Sequence, residues 1–155
     1  MKAFDVIVIG GGHAGIEASR ASALIGCTTA LITMSVRTIG VLSCNPSIGG
    51  SAKGHLVKEI DAIGGIMPLI ADRSGIQFKM LNTSKGPAIW SPRSQNDKYL
   101  YPGYAQQLLK KTPHLSILEG TIERVIVSGS EVTGIIFNGE IIHCKALIVC
   151  GGTFL

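Results

Sequence analysis

The apolar positions of this chain fall into short runs separated by glycine-rich breaks, and the runs differ in period. Residues 5–9, "DVIVI", form a β-branched and nearly continuous apolar run, the pattern of a strand buried on both faces. From about residue 13 to 25 the chain is alanine-rich and helix-compatible, with Gly26 placed to cap the end. Residues 28–33 predict a second buried strand. Strand, tight turn, helix and strand make a βαβ opening, which predicts a parallel sheet. Residues 35–55 predict a long loop. A helix follows from about 51 to 63, where Leu56, Val57, Ile60 and Ile63 form an apolar stripe and Gly64-Gly65 stop it. Residues 75–82, "GIQFKMLN", alternate as a strand. Residues 83–97 predict a loop, since they hold two prolines and the only tryptophan, Trp90.

Residues 98–111 predict another helix, with Pro102-Gly103 disturbing its first turn and Pro113 closing it. Strands are predicted at 115–118, 121–128, 132–137 and 141–143, and the Ser-Gly-Ser and Asn-Gly breaks between the later ones suit antiparallel hairpins. "KALIVCGG", 145–152, returns to a buried strand. A chain that stops after such a strand without a closing helix is expected to be part of a larger fold or a truncated chain.

Gly10, Gly12 and Gly15 fit G-x-G-x-x-G between the first predicted strand and helix. In that motif the first glycine makes the turn, the second lets backbone approach a pyrophosphate, and the third lets helix and strand pack closely. The helix N-terminus then faces the anion. The acidic ribose ligand that usually ends the second strand is missing: 31–35 reads Leu-Ile-Thr-Met-Ser, leaving Thr33 or Ser35 as weaker candidates. The long excursion, the three-strand antiparallel segment and the return strand favour FAD over NAD. The predicted fold class is α/β, an incomplete Rossmann-like FAD-binding domain of the glutathione-reductase type, by fold-level analogy.

Composition changes this picture in two ways. Of the chain, 46% is hydrophobic and 15% charged, as in a folded body rather than a disordered one. The net charge of +4 is concentrated in residues 37–99, with eight basic and four acidic side chains, while the flanking segments balance. That surplus reads as a solvated face or as an anion-binding surface for phosphates or RNA. No signal peptide or membrane span is visible. The four cysteines, Cys27, Cys44, Cys144 and Cys150, show no C-x-x-C spacing, so reduced thiols and a cytoplasmic location are expected. No histidine has metal-ligand spacing, and no metal is predicted.

One cysteine stands apart. Cys27 and Cys150 lie in apolar runs and Cys144 borders one, the setting of inert structural thiols. Cys44 instead sits in "LSCNPSIGGSAKGH", 42–55, among Ser, Asn, Pro and Gly. Lys53, His55 and the helix start near Ser51 are the local candidates to lower its pKa.

Taken in order, "DVIVIGGGHAGIEA", "SCNPSIGGSAKGHLVKEIDAIGG", "GIQFKMLNTSKGPAIWSPRSQND" and "GGTFL" resemble the MnmG (GidA) family, the FAD-containing tRNA wobble-uridine modification enzymes. The resemblance covers the whole 155 residues and corresponds to the N-terminal part of such proteins. It implies FAD, NADH and methylenetetrahydrofolate as cofactors, and tRNA and an MnmE-type GTPase as partners. It further implies a homodimer when full length and no membrane association. It implies addition of a (carboxymethyl)aminomethyl group to carbon 5 of the wobble uridine. The family's FAD contacts fall on Gly10, Gly11, Gly12, His13, Ala14 and Gly15 and on Ile122, and its proposed catalytic cysteine falls on Cys44. Residues 1–155 are then part of an FAD-binding domain, with 35–100 an insertion carrying the Cys-Asn-Pro and Ser-Lys-Gly-Pro loops. Lys53, Lys58, Lys85, Arg93 and Lys98 become candidates for tRNA phosphate contacts, and Trp90 for stacking or plain packing. The alternatives are a folate- and FAD-dependent tRNA uracil-5-methyltransferase, against which the C-N-P-x-x-G-G-x-x-K-G-H run argues, or a truncated non-catalytic nucleotide- or RNA-binding domain.

Overall fold

The computed structural model describes residues 3–43 and 45–152. The chain divides into two compact units, one from Met1–Gly40 with Gln106–Leu155, the other from Val41–Ala105.

The first unit is built on a six-stranded sheet. Its strands are β1 (Ala3–Ile9), β2 (Thr29–Thr33), β6 (Leu115–Glu119), β7 (Ile122–Ser128), β8 (Glu131–Phe137) and β9 (Glu140–Val149), in the order β6-β2-β1-β9-β8-β7. β6, β2, β1 and β9 run parallel, and β7, β8 and β9 form an antiparallel meander. All five residues of β2 are buried, an Ala-Leu-Ile centre with a threonine at either end. Ile7, Ala30, Ile32, Ile135, Ile142 and Cys144 form one core cluster across the sheet. Helix α1 (His13–Leu24) connects β1 to β2, and Gly26 just beyond it takes φ +94°, the left-handed turn that ends many helices. The 141–143 and 145–150 segments are one ten-residue strand, β9, rather than two. Its first part pairs with β8 and its remainder with β1. The parallel sheet with its appended antiparallel meander is a Rossmann-like FAD-binding fold.

A clamp joins three strands at the amino edge. Asp5 accepts from the Thr28 amide at 2.8 Å and from its hydroxyl at 2.6 Å, and pairs with Lys145 of β9 at 2.7 Å. The Lys145 ammonium and then the Thr28 donors hold the Asp5 carboxyl well below the usual carboxylate range.

The second unit holds a three-stranded antiparallel sheet in the order β3-β5-β4: β3 (Ser47–Gly49), β5 (Ser91–Asn96) and β4 (Gly75–Leu81). Helices α2 (Lys53–Ala62) and α3 (Met67–Ser74) pack on one face. Several expectations are corrected here. The 35–55 loop contains a short 3-10 helix, Val36–Thr38, and β3. α3 was not anticipated, because it is short and follows directly on a Gly-Gly break. Pro68 is accommodated in its first turn, where an amide is not needed. The 83–97 loop contains β5, the central strand. "SPRSQN" has no aliphatic residue to announce it, and Pro92 lies just past the three positions where β3 pairs. The apolar stripe of α2 is only partly covered: Val57 and Ile60 are half-buried, whereas Leu56 is 56% and Ile63 85% exposed. α2 instead seats Gly54 against β5, where a Cβ would lie 2.6 Å from the Pro92 carbonyl.

Helix α4 (Leu100–Lys110) begins on Asp97, whose carboxylate accepts from the Tyr99 and Leu100 amides at 2.8 and 2.9 Å. Pro102 does not disturb it, since the first turn of a helix has spare donors. Tyr101, Ala105 and Leu109 form its fully buried stripe.

Candidate functional site

The parallel strands end together at Ile9, Thr33, Glu119 and Val149, and the glycine turn leaves this carboxyl edge between β1 and α1. The Gly10 amide donates to Ile32 at 2.8 Å, and its φ is +106°. A Cβ there would lie 2.3 Å from the Cys150 carbonyl, and one on Gly15 1.8 Å from the Gly10 carbonyl. These two glycines bring β9, β1 and α1 into backbone contact. Gly11 is buried against Thr33 and Ile39.

Gly12 differs. Its φ of −73° is open to any residue, yet a Cβ on it would meet nothing within 4 Å. It is exposed and N-caps α1, with no side-chain cap among the described residues and no acidic residue in the first turn. Amides at an uncapped helix start attract anions. His13 and Ala14 open the helix beside it, half-buried and exposed. Steric need therefore explains Gly10, Gly11 and Gly15, while Gly12 stands in open space at the start of α1. An open cradle at a helix N-terminus fits the pyrophosphate of a dinucleotide.

No carboxylate ends β2, but one stands beside it. Register places Glu119 of β6 opposite Thr33, and Glu119 Oε2 accepts from the Val36 amide at 2.8 Å. The Gly120 amide donates to the Thr33 carbonyl at 2.9 Å. No pattern at the end of the second strand points to Glu119, which stands on the neighbouring strand. The signal was a glutamate-glycine pair at the end of the third parallel strand. Ile122 opens β7 three residues later, partly buried against the core cluster.

Cys44 lies outside the described residues. On either side, Ser43 and Asn45 are exposed and Leu42 is buried, and the Pro46 carbonyl accepts from the Asn96 amide at 2.7 Å. The loop is thus anchored by β3 immediately after the Asn-Pro. Gly49 is spent on packing rather than on a ligand: a Cβ would lie 2.1 Å from the Pro92 carbonyl. Gly50, at φ +110°, serves the turn into α2. Lys53 opens α2, and desolvation lowers its ammonium pKa although the side chain is exposed overall. His55 is half-buried.

Burial pushes the Cys144 and Cys150 thiols up, away from the reactive thiolate. Neither Cys27 nor Cys150 lies within a strand: Cys27 precedes β2 and Cys150 follows β9. Trp90 donates its indole N–H to the Thr83 carbonyl at 3.2 Å, which closes the 83–90 loop and leaves the residue 42% exposed. Among the described residues, no group of three or more His, Cys, Asp or Glu side chains is placed to hold a metal ion. Among them, no helix is long and apolar enough to cross a membrane.

Comparison with known proteins bears on the whole chain. It is 53% identical over 155 residues to a Thermodesulfovibrio yellowstonii protein named tRNA uridine 5-carboxymethylaminomethyl modification enzyme MnmG, covering 99% of this chain and 25% of that protein. A protein of the same name from Phocaeicola vulgatus is 51% identical over 153 residues, covering 98% and 25%. The crystal structure of Aquifex aeolicus GidA superposes with a TM-score of 0.96 at 49% identity, covering 99% of this chain and 26% of that one. The chain thus spans about a quarter of the length of these relatives. The family profile described as Glucose inhibited division protein A matches residues 5–155, and the chain belongs to that family, GidA.

Proposed function

We propose that the protein is a flavin-dependent tRNA-modifying enzyme that adds a (carboxymethyl)aminomethyl group to carbon 5 of the wobble uridine. The observation that carries the reading is the 53% identity to a relative bearing that name. The open cradle at Gly12 supports it independently. In this reading Gly10, Gly11, Gly12, His13, Ala14 and Gly15 hold the FAD pyrophosphate, and Ile122 contributes a backbone contact. Residues 1–155 belong to the FAD-binding domain, with 35–100 an insertion carrying the two loops. FAD, when bound, supplies the redox part of the one-carbon chemistry, with NADH and methylenetetrahydrofolate as co-reactants. An MnmE-type GTPase and a second copy of the chain complete the assembly, in the cytoplasm.

Cys44 is assigned the covalent step. Carbon 5 of a uracil is a weak nucleophile. Attack of the Cys44 thiolate on carbon 6 forms a C–S bond and shifts the ring double-bond pair into an enolate. Carbon 5 can then attack a one-carbon electrophile. Loss of the carbon 5 proton and expulsion of the thiolate restore the ring. The sequence around Cys44, Ser-Cys-Asn-Pro, supports giving this role to it.

The test uses the full-length protein with tRNA. Cys44→Ser is expected to keep its flavin and to lose uridine modification, read by mass analysis of the nucleosides. Full activity in that variant contradicts the assignment. A product carrying only a methyl group on carbon 5 contradicts the reaction and favours a uracil methyltransferase.

A further inference from the structure

We infer that the open face of the β3-β5-β4 sheet docks the phosphodiester backbone of the tRNA, with Lys79 and Arg93 as its charged contacts. The inference rests on the function proposed above and names residues for it. Lys79 of β4 stands directly opposite Arg93 of β5, and Gln77 directly opposite Gln95. Residues two apart on a strand share a face. These four side chains, with Leu81, line one cavity of about 220 Å³.

The opposite face does the packing. Ile48, Phe78, Pro92 and Ser94 line a separate cavity there with residues of α2 and α3. The polar face is therefore free of any role in covering the helices.

Two cations placed directly across a strand pair repel each other. Neither Lys79 nor Arg93 has a carboxylate ion-pair partner among the described residues. The third strand offers no relief, because the residue opposite Arg93 on β3 is Gly49. A face that only had to be wet would alternate its charges; this one pairs like with like, with a pair of amides on one side. Such an arrangement is stabilised by an anion held between the two cations. Arginine offers a fork that matches a phosphate, lysine a point charge, and glutamine a neutral donor. Arg93 lies on the central strand, fixed from both sides, so its backbone position is rigid. The occupant that suits two paired cations beside amide donors is a phosphate chain.

The test is tRNA binding by the full-length protein across a salt series, with fluorescently labelled unmodified tRNA, for wild type, Lys79→Gln, Arg93→Gln and Lys79→Arg. Each neutral variant is expected to weaken binding and to flatten the plot of log affinity against log salt by about 0.7–0.9 per lost contact. Lys79→Arg keeps the wild-type slope. Thermal midpoint and flavin content, measured alongside, report on folding. Wild-type binding with unchanged slopes in both neutral variants overturns this inference alone. A wild-type protein that binds no tRNA at any salt overturns the function reading and the inference with it.

Discussion

At the residue scale, the glycine turn separates two jobs that one motif combines. Gly15 has no room for a methyl group, since the Gly10 carbonyl lies 1.8 Å from where a Cβ would be. Gly15→Ala is expected to push α1 from β1 and to destabilise the protein by about 1–3 kcal/mol, as overpacking does, read by denaturant unfolding. Gly12 has ordinary backbone angles and an empty surround, so the same substitution there leaves the fold intact and acts only on what the turn holds. The motif assigns the third glycine to helix–strand packing, and the crowding at Gly15 agrees. Gly49 is structural in the same sense as Gly15. Its place is taken up by the Pro92 carbonyl, a contact between segments more than 40 positions apart that no local pattern encodes.

At the element scale, the strands of the first unit were legible because each is a short buried run with a turn at either end. The second unit was less so. β5 is polar throughout and proline-bearing, and it owes its place to ladder bonds with two neighbours rather than to its own propensity. α2 showed an apolar stripe and buries a glycine instead. The clamp of β1, β2 and β9 carries a pH prediction. Because the folded Asp5 carboxyl titrates below its ordinary range, its contribution is fully present above the unfolded pKa, about 4. It is lost as the pH falls toward the folded value. Wild-type thermal midpoints should fall more steeply below about pH 4 than those of Asp5→Asn. Parallel curves for the two proteins contradict the clamp.

At the scale of the whole molecule, the first unit brings the turn, the β2 end and Glu119 to one edge of a parallel sheet, where such folds bind their ligands. The fold class and this edge could be read from period and punctuation. The basic surplus of 37–99 could be counted, but only strand register shows that it sets Lys79 beside Arg93. The two residues are separated in sequence by a loop with two short 3-10 turns. In the proposed function the Gly12 cradle holds FAD. Its most direct test is the flavin absorbance of purified full-length protein, wild type against Gly12→Ala, with the thermal midpoint of each flavin-free form. The wild type should carry flavin, and Gly12→Ala should lose most of it at an unchanged midpoint. A colourless wild type that added FAD leaves unaltered, or a Gly12→Ala protein as yellow as the wild type, contradicts it.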